Sequence, residues 1–71
     1  MKKMNEAERI AAAYHTLKSV LTERERDIVT RFYGIDTQVR HTLAELGEEY
    51  DVTRERIRQI KSQALIKLKM K

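Results

Sequence analysis

The sequence predicts an all-α fold: a compact four-helix domain that ends in a helix-turn-helix. Proline is absent, glycine occurs only twice and 37% of residues are charged, which suits short amphipathic helices and suits strands poorly. Apolar residues recur at helical spacing through most of the chain. Three pairs, Asn5/Glu8, Thr22/Glu25 and Thr42/Glu45, have the spacing of reciprocal caps that open helices. At 71 residues the chain is one domain, 1–71, near the small end of what a single core can hold together.

The first helix is expected to begin near Asn5, with Ala7, Ile10, Tyr14, Leu17 and Leu21 as its buried stripe. The second opens at Thr22 and buries Ile28, Val29, Phe32 and Tyr33. Gly34 ends it, because glycine takes the left-handed conformation without a steric cost, and Ile35 folds back on the last turn. Residues 36–41 have no period and read as a loop. A short third helix spans about 42–50, with Leu43, Leu46, Gly47 and Tyr50 inward. The turn Asp51-Val52-Thr53 leads to a fourth helix over about 54–69, with Ile57, Ile60, Ala64 and Leu68 along one side. There is no internal repeat or low-complexity segment.

Charge is unevenly distributed. Residues 1–34 carry seven Lys/Arg against five Asp/Glu, and residues 35–53 one Arg against five acids. Residues 54–71 carry seven Lys/Arg and the single acid Glu55. A basic block on a helix is the usual footprint of a polyanion binder, although a solvated basic tail has the same composition. With no cysteine, disulfides and thiolate metal sites are excluded, and His15 and His41 lack companions at metal-ligand spacing. No cofactor is called for. No nucleophile–base pair or phosphate loop argues for an enzyme. No apolar run approaches a membrane span and no signal peptide stands at the start, so a cytoplasmic protein is expected, with neither a membrane nor a small-molecule substrate as partner.

The last two helices have helix-turn-helix proportions. Gly47 permits close approach, Asp51 tolerates an unusual turn conformation, Val52 is expected to plug the space between the helices, and Thr53 caps the fourth helix. An ordinary helical hairpin would explain these apolar positions equally well. It would not explain the other face, formed by Arg54, Glu55, Arg58, Gln59, Ser62 and Gln63. A recognition helix brings its N-terminal turns closest to base edges. There Arg pairs with guanine, an acid accepts from the cytosine amino group and Gln pairs with adenine. Glu55 has two readings: it faces a base, or it complements the positive end of the helix dipole.

The stretch LTERERDIVTRFYGID, followed by HTLAELGEEYDVTRERIRQIKSQALIKLK, resembles region 4 of primary-type bacterial sigma factors over about residues 21–69. The core VTRERIRQI, with TLAELG before it and AL.KL after it, is the most specific part. The resemblance implies binding to a TTGACA-like −35 promoter element as duplex DNA, with Arg54, Glu55 and Gln59 reading bases. It implies that Thr42, Thr53, Arg56 and Arg58 hold the sugar-phosphate backbone, and Lys61 joins them as a neighbouring cation. Residues 42–69 would thus face DNA, while residues 5–34 would face RNA polymerase core and grip the flap tip of its β subunit. Leu17, Leu21, Ile28, Val29 and Phe32 are the candidate lining of that grip, and the same positions suit an ordinary core. Activators or anti-sigma factors are further partners in the family, and its setting is the bacterial cytoplasm and nucleoid.

Three positions depart from the family pattern. Lys61 stands where Glu is usual. Ile66 replaces an Arg of a basic patch touched by some activators, which puts that contact in question. Phe32 replaces an Arg of the second helix, with Arg31 one position earlier, so a backbone contact there is lost or supplied differently. Two other functional classes fit the composition. A free-standing regulator would need a dimerisation element to pair half-sites, and no segment is clearly left over for one. A polymerase-binding module that reads no DNA would have no use for the Arg54–Glu55–Gln59 set.

Overall fold

The computed structural model describes residues 3–35 and 39–68, and of residues 16–18 the backbone only. The order is α1 (Glu6–Leu17), a 3-10 turn (Lys18–Val20), α2 (Glu23–Tyr33), α3 (Leu43–Tyr50) and α4 (Arg54–Lys67). The described residues contain no strand.

All three reciprocal caps form. The Asn5 amide donates to Glu8 Oε1 at 2.9 Å while the Glu8 amide donates to Asn5 Oδ1 at 2.8 Å. Thr22 with Glu25 and Thr42 with Glu45 repeat the arrangement at the starts of α2 and α3. Each box satisfies two amides that the first helical turn leaves without partners. At the other end of α2, Gly34 is left-handed with φ 70°, and the Ile35 amide returns to the Thr30 carbonyl at 2.9 Å. The return buries Ile35.

Two apolar clusters share α2 and α4. Ile28 of α2, Leu46 of α3 and Ile57 and Ile60 of α4 form the helix-turn-helix core. Ile10, Tyr14, Leu21, Val29, Tyr33, Ile35, Ala64 and Leu68 form the other, beneath α1. Adjacent residues of α2, Ile28 and Val29, thus face different clusters, and Phe32 packs against both. Tyr33 is more completely buried than Phe32 and donates its hydroxyl to Glu6 Oε1 at 2.9 Å, joining the end of α2 to the start of α1. α4 ends at Lys67, two residues short of the expected boundary.

The helix-turn-helix angle rests on close backbone packing. Gly47 is buried, and a Cβ built on it would lie 2.7 Å from the Val52 carbonyl oxygen and 3.2 Å from the Arg54 nitrogen. Asp51 caps α3 in the left-handed region with φ 58°, a conformation Asp tolerates better than most residues. Val52 differs from expectation. Its side chain is 36% exposed, and the turn is closed by its amide donating to the Gly47 carbonyl at 2.9 Å. The main chain of the bend lies against Gly47.

One buried charge ties the halves together. Glu25 Oε1 accepts from the Thr22 amide and from Lys67 Nζ, both at 2.9 Å, so the first turn of α2 holds the last residue of α4. Burial pushes the Glu25 carboxyl up, but hydrogen bonds from Thr22 and Lys67 and the Lys67 charge outweigh it, leaving the carboxyl below its ordinary range. A carboxyl whose folded pKa is depressed stabilises the fold above its unfolded pKa, and that stability is lost as pH falls through the folded value. Wild type should therefore lose more melting temperature between neutral and acid pH than Glu25→Gln. Parallel melting curves across that range would mean that the pair contributes nothing.

Candidate nucleic-acid interface

α4 divides into two faces because its apolar residues repeat at helical spacing. Ile57, Ile60 and Ala64 are buried, whereas Arg54, Glu55, Arg56, Arg58, Gln59 and Gln63 are exposed, and Ser62 is half-buried. The Thr53 hydroxyl accepts from the Arg56 amide at 3.0 Å and fixes where the helix begins. An accepting hydroxyl keeps its own proton to donate, and the exposed Thr42 and Thr53 both retain that capacity towards an outside acceptor. A helix about 10–12 Å across with one polar, exposed face has the shape and chemistry to enter a major groove about 12 Å wide.

Glu55 is not a lone acid. Arg58 grips it bidentately, Nε to Oε1 at 2.8 Å and Nη2 to Oε2 at 2.5 Å. The Arg58 hydrogen bonds hold the Glu55 carboxyl below the usual range, so it stays an acceptor at neutral pH. The same pair raises the Arg58 guanidinium. Arg56 Nη1 reaches Gln59 Oε1 only at 3.5 Å. Arg54, Glu55 and Gln59 thus stand together at the outward start of α4, as their spacing predicts.

Lys61 lies apart from that group. It is half-buried, and its ammonium sits over the rings of Phe32, 4.9 Å from the centroid, and Tyr33, at 5.7 Å. Arg31 is likewise committed: it bonds Asp27 Oδ2 at 3.2 Å and also Glu49, while the Tyr50 hydroxyl donates to the same Asp27 oxygen. Burial and the Asp27 carboxylate push Tyr50 up to about 12. This polar network joins α2 to α3.

The residues named for the polymerase-facing surface differ in burial. Leu21, Ile28 and Val29 are 5%, 0% and 0% exposed and belong to the core clusters, whereas Phe32 is half-buried. The Leu17 side chain lies outside the described residues. Ile66, by contrast, is 70% exposed.

Two residues to which sequence reasoning gave no nucleic-acid role stand beside the helix-turn-helix. The Arg40 Nε donates to the Phe32 carbonyl at 3.5 Å, and the His41 amide donates to the Arg31 carbonyl at 2.8 Å. With Phe32, Thr42 and Leu43 they line an open depression of about 400 Å³ at the start of α3. Their place just before the Thr42 cap was the available signal. A second open depression, of about 550 Å³, runs along the helix-turn-helix bend and includes Ala44, Glu48, Val52 and Arg54. Among the described residues no group of His, Cys, Asp or Glu is disposed to hold a metal ion, and no helix is long and apolar enough to cross a membrane.

The family model described as Sigma-70, region 4 matches residues 19–70. The chain belongs to that family. Relatives agree: it is 47% identical over 66 residues to RNA polymerase sigma factor RpoD of Neisseria gonorrhoeae, covering 83% of this chain and 10% of that protein. It is 51% identical over 51 residues to RNA polymerase sigma factor SigA1 of Synechococcus elongatus, covering 72% of this chain and 13% of that protein. The chain therefore spans about a tenth of the length of these relatives. No solved structure matches it. The sigma-70 region 4 match takes in α2, α3 and α4 and begins after the end of α1.

Proposed function

We propose that the chain is a non-catalytic module that binds promoter DNA as the region 4 of a sigma factor, reading a TTGACA-like −35 element in transcription initiation. The observation that carries this is the outward cluster of Arg54, Glu55 and Gln59 on the first turns of α4, on a helix seated by Ile57 and Ile60. Those side chains match the base edges of a G·C-containing site, and Thr42, Thr53, Arg56 and Arg58 lie around them as backbone contacts. RNA polymerase core is the second partner, through the β-subunit flap tip. Leu21 and Val29 lie in the cluster beneath α1 and Ile28 in the helix-turn-helix core, so among the candidates whose side chains are described Phe32 is the half-buried one. The setting is the bacterial cytoplasm and nucleoid.

The 71-residue chain alone should bind duplex DNA weakly and with steep salt dependence, because one short helix reads bases while cations meet phosphates. Tethering to polymerase would supply the missing affinity as effective concentration. Fluorescence anisotropy with TTGACA and scrambled duplexes across a salt series tests this. A modest preference for the TTGACA duplex as a 1:1 complex is expected. Tight binding as a dimer to a palindrome would instead identify a free-standing regulator.

A further inference from the structure

We propose that Phe32, Lys61 and Arg40 form a phosphate clamp at the junction of α2, α3 and α4, with the Phe32 ring as the positioning group that seats Lys61. The proposal rests on the DNA-binding reading and adds to it a site and two residues, Arg40 and Phe32, that the reading does not use for DNA.

Both cations approach Phe32, one at its ring and one at its main chain. Lys61 Nζ lies over the ring, and Arg40 Nε reaches the main-chain carbonyl oxygen at 3.5 Å. A ring face attracts an ammonium through its quadrupole without neutralising it. Neither cation is paired with a carboxylate among the described residues. This distinguishes them from Lys67 on Glu25, Arg58 on Glu55 and Arg31 on Asp27 and Glu49. Arg31, the nearest cation in sequence, is therefore held by acids and is not available as a substitute for a basic residue at position 32.

The surroundings favour an anion. The depression walled by Phe32, Arg40, His41, Thr42 and Leu43 opens at the start of α3. The capping box takes the amides of Thr42 and Glu45, leaving those of Leu43 and Ala44 to point outward at the positive end of the helix dipole. Glu45 is the acid in the first turn of α3, and one of its carboxylate oxygens is engaged by the Thr42 amide. His41 Nδ1 is buried there without a hydrogen-bond partner. On α4, Arg58 and Lys61 share one flank by their spacing, and a flank of a groove-bound helix faces a phosphate row. Arg40 and Lys61 would contact that row and set how deeply α4 enters.

Anisotropy titrations of the full chain on the TTGACA and scrambled duplexes, across a salt series, test the clamp. Arg40→Gln and Lys61→Gln should each weaken both duplexes several-fold at low salt and reduce the salt slope by about 1. Phe32→Leu, which changes no charge, should weaken binding as Lys61→Gln does, and Phe32→Tyr should restore it. The double variant Phe32→Leu/Lys61→Gln should bind no worse than Lys61→Gln alone. Melting curves on every variant separate loss of fold from loss of the seat, and the two surface Gln variants remain informative if Phe32→Leu unfolds. Unchanged salt slopes in both Gln variants overturn the clamp. Wild-type binding by a folded Phe32→Leu overturns the seating role. If wild type shows no preference for TTGACA, the −35 reading fails, while the slopes still decide the clamp on either duplex.

Discussion

Gly47→Ala is expected to destabilise the domain despite placing a better helix former inside α3. Alanine in a helix interior gains about 1 kcal/mol over glycine from propensity. Against that, the new Cβ would lie 2.7 Å from the Val52 carbonyl oxygen, 3.2 Å from the Arg54 nitrogen and 3.3 Å from the Thr53 carbonyl carbon. All three are main-chain atoms of the helix-turn-helix bend, so no side chain can rotate out of the way. Relief requires the bend to move away from α3, which also shifts Thr53 and the start of α4. Overpacking of this kind costs about 1–3 kcal/mol and sometimes more. Contact with rigid backbone places this case at the upper end, for a net loss of about 2 kcal/mol. In a domain this small, each kcal/mol lowers the melting temperature by about 4–8 °C. Thermal melts followed by circular dichroism would read the loss directly. A melting temperature equal to or above wild type would mean that the bend is soft and that Gly47 does not set the helix angle.

Glu55→Ala should change specificity more than affinity. In the free protein, Arg58 holds both Glu55 oxygens, which keeps the carboxylate ionised and directed outward from α4. An ionised carboxylate has about four lone-pair positions, so two remain for a cytosine amino group while Arg58 stays in place. Removing Glu55 removes a negative charge that phosphates repel and frees the Arg58 guanidinium. Binding to a scrambled duplex should therefore strengthen. Preference for the cytosine-containing pair should fall by about 1–3 kcal/mol of discrimination. Arg54→Ala and Gln59→Ala should each relax preference at one other position, and Arg56→Ala should weaken all sequences alike. Titrations of wild type and variants on duplexes altered one base pair at a time would separate these outcomes. An equal gain on cognate and scrambled DNA would reduce Glu55 to a helix-terminal charge.

The exposed, paired state of Glu55 shows where a spacing argument stops. Residues 54, 55, 58 and 59 share the outward side of one helix, and the sequence carries that much because a helix repeats every 3.6 residues. Which of them bond to each other depends on rotamers. Glu55 with Arg58, three apart, formed the bidentate pair, whereas Arg56 with Gln59, also three apart, meets only at 3.5 Å. Lys61 was legible as a cation near the groove but not as one resting on Phe32, because that contact joins residues 29 positions apart on different helices. The candidate polymerase-facing residues show the same boundary. Leu21 belongs by spacing to the apolar stripe of the first helix and Ile28 and Val29 to that of the second, and spacing is the same for a residue that lines an open surface and one that packs into a core.

What the sequence determined by itself was local. The three capping boxes, the Gly34 stop, the left-handed Asp51 and the four helices all depend on groups within a few residues of each other, where chain connectivity fixes who can meet. The outward position of Arg54, Glu55 and Gln59 belongs to the same class. The tertiary structure decided the rest: two clusters instead of one stripe, Val52 turned outward, Arg31 consumed by Asp27 and Glu49, and Glu25 bonded to Lys67. Each of these joins elements distant along the chain or depends on how closely two backbones approach. Both are set by the collective packing of α1 to α4, which no window of the sequence contains.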